Sequence, residues 1–328
     1  MPADPRTEQL KPRLARFKRI IIWGHPIHSH THSYVHEGFA RAFRRLGAET
    51  LWTDDARALV NLDLAGTLFV TEGQVFPGLP QRQDCHYVLH NVNYDQYSEI
   101  ADRVLALAVH DDSVRSRHAA GATIEKLDEY TFVERSPGAP VTLHQPWATD
   151  LLPDEFDFDV SLPEPWPRSK VGSWIRVRRT GPPRAVWVGT IGRGEYGNTE
   201  EIEPFRRACA AGGVRFLHRR SVDRARHIAL IRRSLLAPAI VGRWQLEHAY
   251  LPCRIYKNIS YGRLGMTNSP WIQGIFDSEI LYRSDTEDLF WSAMSFARDR
   301  PMLLAQMKEV QARHTFVNRI ERIIECLP

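Results

Sequence analysis

Cysteines are few in this sequence, and none stands in a metal-binding pattern. The four of them are scattered, each in an apolar context: Cys85, Cys209, Cys253 and Cys326. Free, buried thiols are typical of proteins that fold in a reducing compartment. We therefore expect a cytoplasmic protein without a disulfide framework or a cysteine-bound metal ion.

Long hydrophobic runs are also missing. No apolar stretch approaches the roughly 20 residues that a membrane-spanning helix needs, and the N-terminus, Met-Pro-Ala-Asp-Pro-Arg, lacks the apolar core of a signal peptide. The net charge is only +4, which is too small to indicate a nucleic-acid partner. This charge suits an enzyme that binds anionic nucleotides, or one that contacts an acidic membrane surface peripherally.

The length and the apolar segments indicate two α/β domains. A chain of 328 residues exceeds the size at which one hydrophobic core usually keeps growing. A β-branched strand at 18–23, an amphipathic helix at 33–46 and a strand at 49–53 form a βαβ opening, so the first domain is Rossmann-like. The further predicted strands are 66–71, 85–90, 104–109, 185–188, 214–217 and 239–242. The predicted helices of the second half are 199–211, 223–235, a helix that opens at Pro252, and the tail from Glu287 onward.

Proline marks the boundary between the two domains. Residues 151–183 contain Pro163, Pro165, Pro167 and the pair Pro182-Pro183, and so many prolines resist regular structure. We therefore divide the chain into a leader, an N-terminal acceptor domain, a linker and a C-terminal nucleotide-binding domain: 1–17, 18–150, 151–183 and 184–328.

The segment from Leu251 to Gly262 is the most informative part of the chain. Pro252 is suited to the first turn of a helix, where the free N–H groups attract anions. Arg254 and Lys257 follow three residues apart, on neighbouring parts of one helical face. The segment is therefore suited to hold a diphosphate.

This segment resembles the donor-binding helix of GT-B glycosyltransferases of the glycosyltransferase 1/4 superfamily, including the group related to spore-maturation proteins. The matching residues are Pro252, Arg254, Ile255, Tyr256 and Gly262. Lys257 departs from the family pattern, which has a ribose-binding glutamate at that position, and Glu247 is a candidate to replace it.

A second match lies near the C-terminus. His314, Thr315, Phe316 and Arg319 resemble the His-Thr-aromatic-x-x-Arg signature that opens the last helix of the same group. The segment 145–150 resembles the turn at which these enzymes leave their first domain. The resemblance implies a GT-B fold, in which two Rossmann-like domains face each other across a cleft and the C-terminal helix crosses back to the first domain.

The resemblance also implies the activity. A hexosyl or deoxyhexosyl group would pass from a UDP- or GDP-sugar to a hydroxyl of a glycan, a lipid-linked acceptor or a similar acceptor, as in polysaccharide biosynthesis. The reaction needs no metal and no cofactor beyond the nucleotide-sugar co-substrate. The expected donor-binding residues are Gly189, Thr190, Gly192, Arg193, Glu247, Pro252, Arg254, Ile255, Tyr256, Lys257 and Asn258.

Histidines form the densest polar cluster, between His25 and His32, directly after the first predicted strand. This location is the carboxyl edge of the sheet, where α/β proteins bind their ligands. Imidazoles with a pKa near neutrality can act as a general base toward an acceptor hydroxyl or can position an anionic acceptor. The predicted catalytic residues are His25, His28, His32 and His90. His90 ends another predicted strand, where the resembling glycosyltransferases often carry a histidine that contacts the donor sugar. Glu72 is a weaker acid or base candidate, and we interpret it as structural.

Two other functions remain open. His28 and His30 resemble the paired metal ligands of amidohydrolases, so the cluster also suits a metal-dependent hydrolase. A non-catalytic nucleotide- or glycan-binding module is the second alternative, because Lys257 departs from the family pattern. Asp157 and Asp159 spell an Asp-x-Asp metal motif, but they fall in the Pro-rich segment, which favours an acidic linker.

Overall fold

A computed structural model describes residues 5–25, 32–73, 78–91, 94–109, 122–162 and 182–328. The chain forms two compact units: the first unit combines Met1–Asp154 with His314–Pro328, and the second unit is Glu155–Arg313. None of the helices among the described residues has the length and apolar character needed to cross a bilayer.

The described elements alternate between helices and strands along most of the chain. In chain order they are α1 (Pro5–Leu14), β1 (Arg19–Trp23), α2 (Ser33–Arg45), β2 (Thr50–Thr53), β3 (Thr67–Glu72), β4 (His86–His90), β5 (Val104–Ala108), β6 (Thr123–Lys126), β7 (Phe132–Arg135), β8 (Val141–His144), β9 (Arg184–Val188), α3 (Thr199–Ala211), β10 (Arg215–Arg219), α4 (Arg224–Arg232), α5 (Arg243–Glu247), α6 (Arg254–Ser260), β11 (Met266–Thr267), α7 (Pro270–Gln273), β12 (Leu281–Tyr282), α8 (Thr286–Phe296), α9 (Arg300–Arg313) and α10 (Phe316–Cys326).

The described part of the first unit contains an eight-stranded sheet in the order β2-β1-β3-β4-β5-β8-β7-β6. The pairs β2-β1, β1-β3, β3-β4, β4-β5 and β5-β8 are parallel. The pairs β8-β7 and β7-β6, at one edge of the sheet, are antiparallel. Ile20, Ile21 and Ile22 are fully buried in β1, which explains the continuous β-branched run, because helices cover both faces of a parallel sheet. Since β1 pairs with β2 on one side and β3 on the other, the strand order reverses there.

Two features of the first unit differ from the sequence prediction. The predicted leader contains helix α1, because Leu10 and Leu14 bury their side chains in the unit. The strands β6, β7 and β8 were not predicted. They are only four residues long, and exposed side chains in β6 give it no apolar alternation that a sequence pattern could reveal.

The C-terminal helix returns to the first unit, as the sequence resemblance implied. The predicted second domain extended to residue 328, whereas the structure assigns His314–Pro328 to the first unit. The buried Arg319 explains this return: its Nε donates to the carbonyl of Pro146 at 2.7 Å, and its guanidinium also donates to the carbonyl of Trp147 at 3.1 Å. The backbone N–H of Thr149 donates to the carbonyl of His314 at 2.9 Å.

The second unit is a smaller α/β assembly. Strands β9 and β10 pair in parallel, as do β11 and β12. The strand predicted at 239–242 is wrong: the segment joins its neighbours only through isolated bridges, of Leu236 with Ala185 and of Ala239 with Thr267. The side-chain amide of Asn268 exchanges two hydrogen bonds with the backbone of Val241 and so takes the place of ladder bonds.

The described part of the predicted linker packs on the second unit. Residues 156–162 have no regular secondary structure, but Arg300 of α9 donates to the carbonyls of Val160 at 3.0 Å and Phe158 at 3.3 Å. The two aspartates of the Asp-x-Asp motif each lie near an arginine: Asp157 is 3.4 Å from Arg232, and Asp159 is 3.9 Å from Arg300. Most of the prolines, at 163–181, lie outside the described residues.

We expect Gly38→Ala to lower the free energy of unfolding of the first unit by about 1–3 kcal/mol, because a Cβ on α2 would overlap the ring of Phe316 on α10. The direction of this change in the free energy of unfolding is informative, because alanine is otherwise the better helix former by about 1 kcal/mol and would stabilise α2. Chemical denaturation measures the change. Combining Gly38→Ala with Phe316→Leu should recover part of the loss. A stabilised Gly38→Ala variant, or strictly additive effects, would contradict the packing described.

Candidate functional site

The histidine cluster lies where the strand order of the first sheet reverses. His25 follows β1, Glu72 ends β3 and His90 ends β4, and these three strands are neighbours. The register places Glu72 directly beside His90. The carboxyl ends of strands at such a reversal form the crevice in which open α/β sheets bind ligands. The strand topology alone therefore brings these side chains together.

Glu72 is the centre of this cluster. Its Oε2 pairs with Nε2 of His25 in a very short contact and with Nδ1 of His32 at 3.1 Å. Its Oε1 accepts a hydrogen bond from the side-chain amide of Asn91 at 2.7 Å. Glu72 is only 5% exposed. Glu72, which the sequence ranked as the weaker acid or base candidate, therefore joins two of the predicted catalytic histidines.

His36 and His90 form a second, deeper pair. His36 Nδ1 lies 3.0 Å from the carbonyl of Gly24, and its Nε2 lies 3.1 Å from Nε2 of His90. A carbonyl only accepts, so Nδ1 of His36 carries the proton and its Nε2 accepts one from His90. Nδ1 of His90 is then left as a lone-pair acceptor. It is buried and has no hydrogen-bond partner among the described residues.

Burial controls the protonation of these groups. Desolvation lowers the pKa of His25 despite the neighbouring carboxylate, lowers the pKa of His36 to about 3, and lowers the pKa of His90 well below its usual value. Burial alone would raise the pKa of Glu72, but hydrogen bonds from His32 and Asn91 outweigh it and hold the pKa well below its usual range. Burial therefore moves the pKa of the predicted base His25 below its ordinary value, and His25, His36 and His90 are predominantly neutral at pH 7.

The second unit presents a cation at its first strand end. The Arg254 guanidinium lies over the ring of the buried Trp187, with Cζ 3.8 Å from the ring centroid, and Nε donates to the carbonyl of Val188 at 3.3 Å. No carboxylate pairs with Arg254 in the described chain. Desolvation lowers its pKa to about 10, so the group remains charged at neutral pH. A guanidinium stacked in this way is pre-organised for an anion.

The loop after β9 closes against Arg254. Gly189 has a φ of +131°, and a Cβ there would lie 2.7 Å from the Arg254 guanidinium, so only glycine allows this approach. The carbonyl of Gly192 accepts hydrogen bonds from the N–H groups of Asn198 and Thr199 at 3.0 and 3.1 Å, which fixes the loop. Thr190 and Arg193 are exposed on it.

The remaining predicted donor residues divide into buried and exposed groups. Ile255, Tyr256, Lys257 and Asn258 are at most 4% exposed, and Asn258 donates to the carbonyl of Ala237 at 2.9 Å. These side chains support α6, which begins at Arg254 rather than at Pro252 and is only seven residues long. Glu247 is exposed and pairs with Arg243 at 2.8 Å. Donor contacts by these residues stay a prediction.

Sequence reasoning gave no role to two members of the first site. His36 lies just beyond the predicted histidine cluster but was not among the predicted catalytic residues, and Asn91 was missed because a single residue after a strand gives no pattern. A φ of +52° at Asn91 and of +48° at His25 cannot be read from the sequence. The remaining predicted catalytic residue, His28, lies outside the described residues, as does His30.

Several solved structures are similar to this chain over most of its length. No protein-family model and no curated protein matches the sequence. Trehalose-6-phosphate synthase OtsA is similar over 94% of this chain and 98% of that one, with 10% identity and a TM-score of 0.57. The E. coli trehalose-6-phosphate structure bound with UDP-2-fluoro glucose is similar over 94% and 97%, with 9% identity and a TM-score of 0.53. The alpha,alpha-trehalose 6-phosphate synthase from Burkholderia multivorans is similar over 90% and 77%, with 10% identity and a TM-score of 0.50. These similarities confirm the predicted GT-B fold.

We expect acid to destabilise the first unit through His36. The unfolded chain binds a proton near pH 6.5, whereas folded His36, surrounded by His25, His32, Glu72 and His90, binds one only near pH 3. The contribution of neutral His36 to the free energy of unfolding is therefore fully present above pH 6.5 and is lost as the pH falls toward 3. Between pH 7.5 and pH 5 the loss from His36 is about 2 kcal/mol.

Urea denaturation of wild type and His36→Gln at both pH values measures this difference. The variant should lose less free energy of unfolding than the wild type over the same interval, whatever its stability at pH 7.5. Equal losses in the two proteins would show that His36 is not the titrating group.

Proposed function

We propose that this protein is a glycosyltransferase that moves a sugar from a nucleoside-diphosphate sugar to a hydroxyl of a glycan, a lipid-linked acceptor or a similar molecule. The observation that carries the proposal is Arg254: a guanidinium held on Trp187, beside a glycine loop, without a carboxylate partner among the described residues. A charge placed in this way, at a strand end of a GT-B fold, fits the diphosphate of a sugar nucleotide.

The proposed chemistry follows from the charge of the leaving group. When the bond from the sugar to the diphosphate breaks, negative charge develops on the departing phosphate oxygens. Arg254 is fixed before the reaction, so its charge acts without reorganisation, which is how fixed cations stabilise such transition states. Arg193, exposed on the adjacent loop and without an ion-pair partner in the described part of the chain, is the second proposed diphosphate contact.

The donor in this proposal is a UDP-sugar, with a GDP-sugar as the alternative. The UDP-2-fluoro glucose bound to the similar E. coli structure supports UDP as the first nucleotide to test. No cofactor besides the donor enters the proposed transfer of a hexosyl or deoxyhexosyl group. The proposed location in the cell is the cytoplasm, with peripheral contact to a membrane when the acceptor is lipid-linked.

We propose that His90 contacts a hydroxyl of the transferred sugar. Its free Nδ1 lone pair can accept one hydrogen bond, whereas its low pKa makes it a weak base. The base role proposed for His25 or His32 has less support, because both imidazoles already use a nitrogen on Glu72.

We expect Arg254→Ala to weaken UDP binding by about 10- to 100-fold, since a charged hydrogen-bonding group contributes about 1.5–3 kcal/mol. Arg254→Lys should fall between the wild type and Arg254→Ala, because an ammonium keeps the charge but loses the planar fork. Isothermal titration calorimetry with UDP, GDP and ADP measures the affinities, and release of the nucleotide from its sugar conjugate measures turnover.

Arg206→Ala is the matched control for this experiment. Arg206 is also an arginine of the second unit, but it is exposed on α3 and pairs with Glu203 at 3.8 Å, so its loss should leave UDP binding unchanged. If Arg254→Ala binds UDP as tightly as Arg206→Ala does, the proposed diphosphate site is wrong.

We expect His90→Leu to lower the transfer rate by about 10-fold, the cost of one lost hydrogen bond, while UDP binding stays at the wild-type value. His90→Asn should retain more activity, because its amide oxygen can accept a hydrogen bond near the position of Nδ1. Steady-state kinetics with a chosen acceptor provides the measurement. Equal rates for wild type and His90→Leu would remove His90 from the proposed site.

A further inference from the structure

We propose that His25, His32 and Glu72 form a binding site for one divalent transition-metal ion, with Zn²⁺ as the fitting ion. The three side chains come from three separate elements of the first unit: the end of β1, the start of α2 and the end of β3. Their ligand atoms, Nε2, Nδ1 and Oε2, all lie within 4.8 Å of one another. The preferred sequence prediction assigned no metal to the protein, and its hydrolase alternative drew on the His28-x-His30 pair rather than on Glu72, so this three-residue site goes beyond the proposed glycosyl transfer.

The spacing of the ligand atoms fits a small ion. Zinc lies about 2.0–2.2 Å from nitrogen and oxygen ligands, so two ligands of a tetrahedral site lie about 3.3 Å apart. Nδ1 of His32 and Oε2 of Glu72 are 3.1 Å apart, and Nε2 of His25 is closer still to the same oxygen. The His32–Glu72 distance is already close to that spacing, whereas the His25–Glu72 contact has to lengthen before an ion fits between its atoms.

The donor set selects the kind of metal. Two imidazole nitrogens and one carboxylate oxygen suit Zn²⁺ and its neighbours Co²⁺, Ni²⁺ and Fe²⁺, whereas Mg²⁺ and Ca²⁺ prefer oxygen ligands alone. Each imidazole offers one ring nitrogen, and the carboxylate supplies the negative charge. Three protein ligands leave a fourth position for water or a hydroxyl oxygen.

Surrounding side chains orient these ligands in the manner of metal sites. Asn91 donates to Oε1 of Glu72 at 2.7 Å, which leaves Oε2 directed at the two histidines. Outer hydrogen bonds of this kind fix ligand orientation and contribute to affinity. The ring of His90 lies 4.7 Å from that of His32, and the ring of His36 lies 5.3 Å from that of His25, so both ligand rings are held by their neighbours.

The backbone at the cluster is strained where the ligands require it. His25 and Asn91 have φ of +48° and +52°, a left-handed conformation that costs an L-residue free energy and persists at sites where the surroundings impose it. The left-handed backbone of His25 lies just after β1, and its imidazole reaches Glu72 at the end of β3. The strain therefore falls on one ligand and on the residue that orients another.

The test is metal binding by the full-length protein after removal of metal with a chelator. Zinc is added in excess, unbound ion is removed, and bound metal is measured by mass spectrometry. Competition with a chromophoric chelator gives the affinity, and the visible absorption of the Co²⁺ form reports the coordination. We expect one zinc per chain, and an increase in the midpoint of thermal unfolding when zinc is present.

Substitutions at the cluster rank the residues by their contribution to zinc affinity. Asn91→Ala should weaken zinc binding by about 10- to 100-fold, the usual effect of an outer hydrogen bond, and Glu72→Gln and His32→Asn should weaken it further. His144→Gln is the matched control. His144 is a buried histidine of the same unit, it pairs with Glu134 at 2.9 Å, and it is not part of the three-ligand group. This variant should bind zinc as the wild type does.

Three results would overturn the metal site: no stoichiometric zinc in the wild type, zinc binding unchanged in Glu72→Gln, or an equal loss in His144→Gln. The wild-type thermal shift keeps the proposal falsifiable if Glu72→Gln fails to fold. UDP binding is measured on the same preparations. Zinc binding without UDP binding would refute only the proposed function, and UDP binding without zinc would refute only the metal site.

Discussion

The parallel pairing of β1 with β3 and of β3 with β4 is the constraint on which the site of the first unit depends. Parallel strands place their carboxyl ends at one edge of the sheet, and the strand order reverses beside β1. His25, Glu72 and His90 therefore meet although no sequence pattern links their positions. A shift of one residue in this register would direct their side chains to alternate faces. The apolar burial of the strands therefore also fixes the position of the polar cluster.

The sites of the two units favour ligands of opposite charge. In the first unit a single buried carboxylate lies among imidazoles that burial keeps neutral, so the cluster is electron-rich and favours a hydrogen-bond donor or a cation. In the second unit Arg254 lies on an aromatic ring without a described carboxylate partner, so the site favours an anion. The proposed transfer of a sugar from a charged diphosphate to a neutral hydroxyl would use both kinds of environment.

The sequence predicted what depends on local periodicity and missed what depends on packing. The strands β1 to β5 and the helices α2 and α3 follow from β-branched runs and amphipathic spacing, and the placement of Arg254 followed from a motif. The central role of Glu72 did not, because its partners are 40 and 47 residues distant in the chain. The strand predicted at 239–242 failed because its apolar run is buried beside Asn268, whose side chain takes over the hydrogen bonds of a ladder. Local patterns cannot show such tertiary substitutions.

The return of the chain at His314 has a consequence for biosynthesis. The second unit is one continuous segment, so a ribosome completes it before α10 exists. The first unit, in contrast, must wait for Phe316 to cover Gly38 and for Arg319 to reach the carbonyls of residues 146 and 147. Because domains generally fold as units during synthesis, the later half of the polypeptide is expected to mature first, while the earlier half remains open to chaperones.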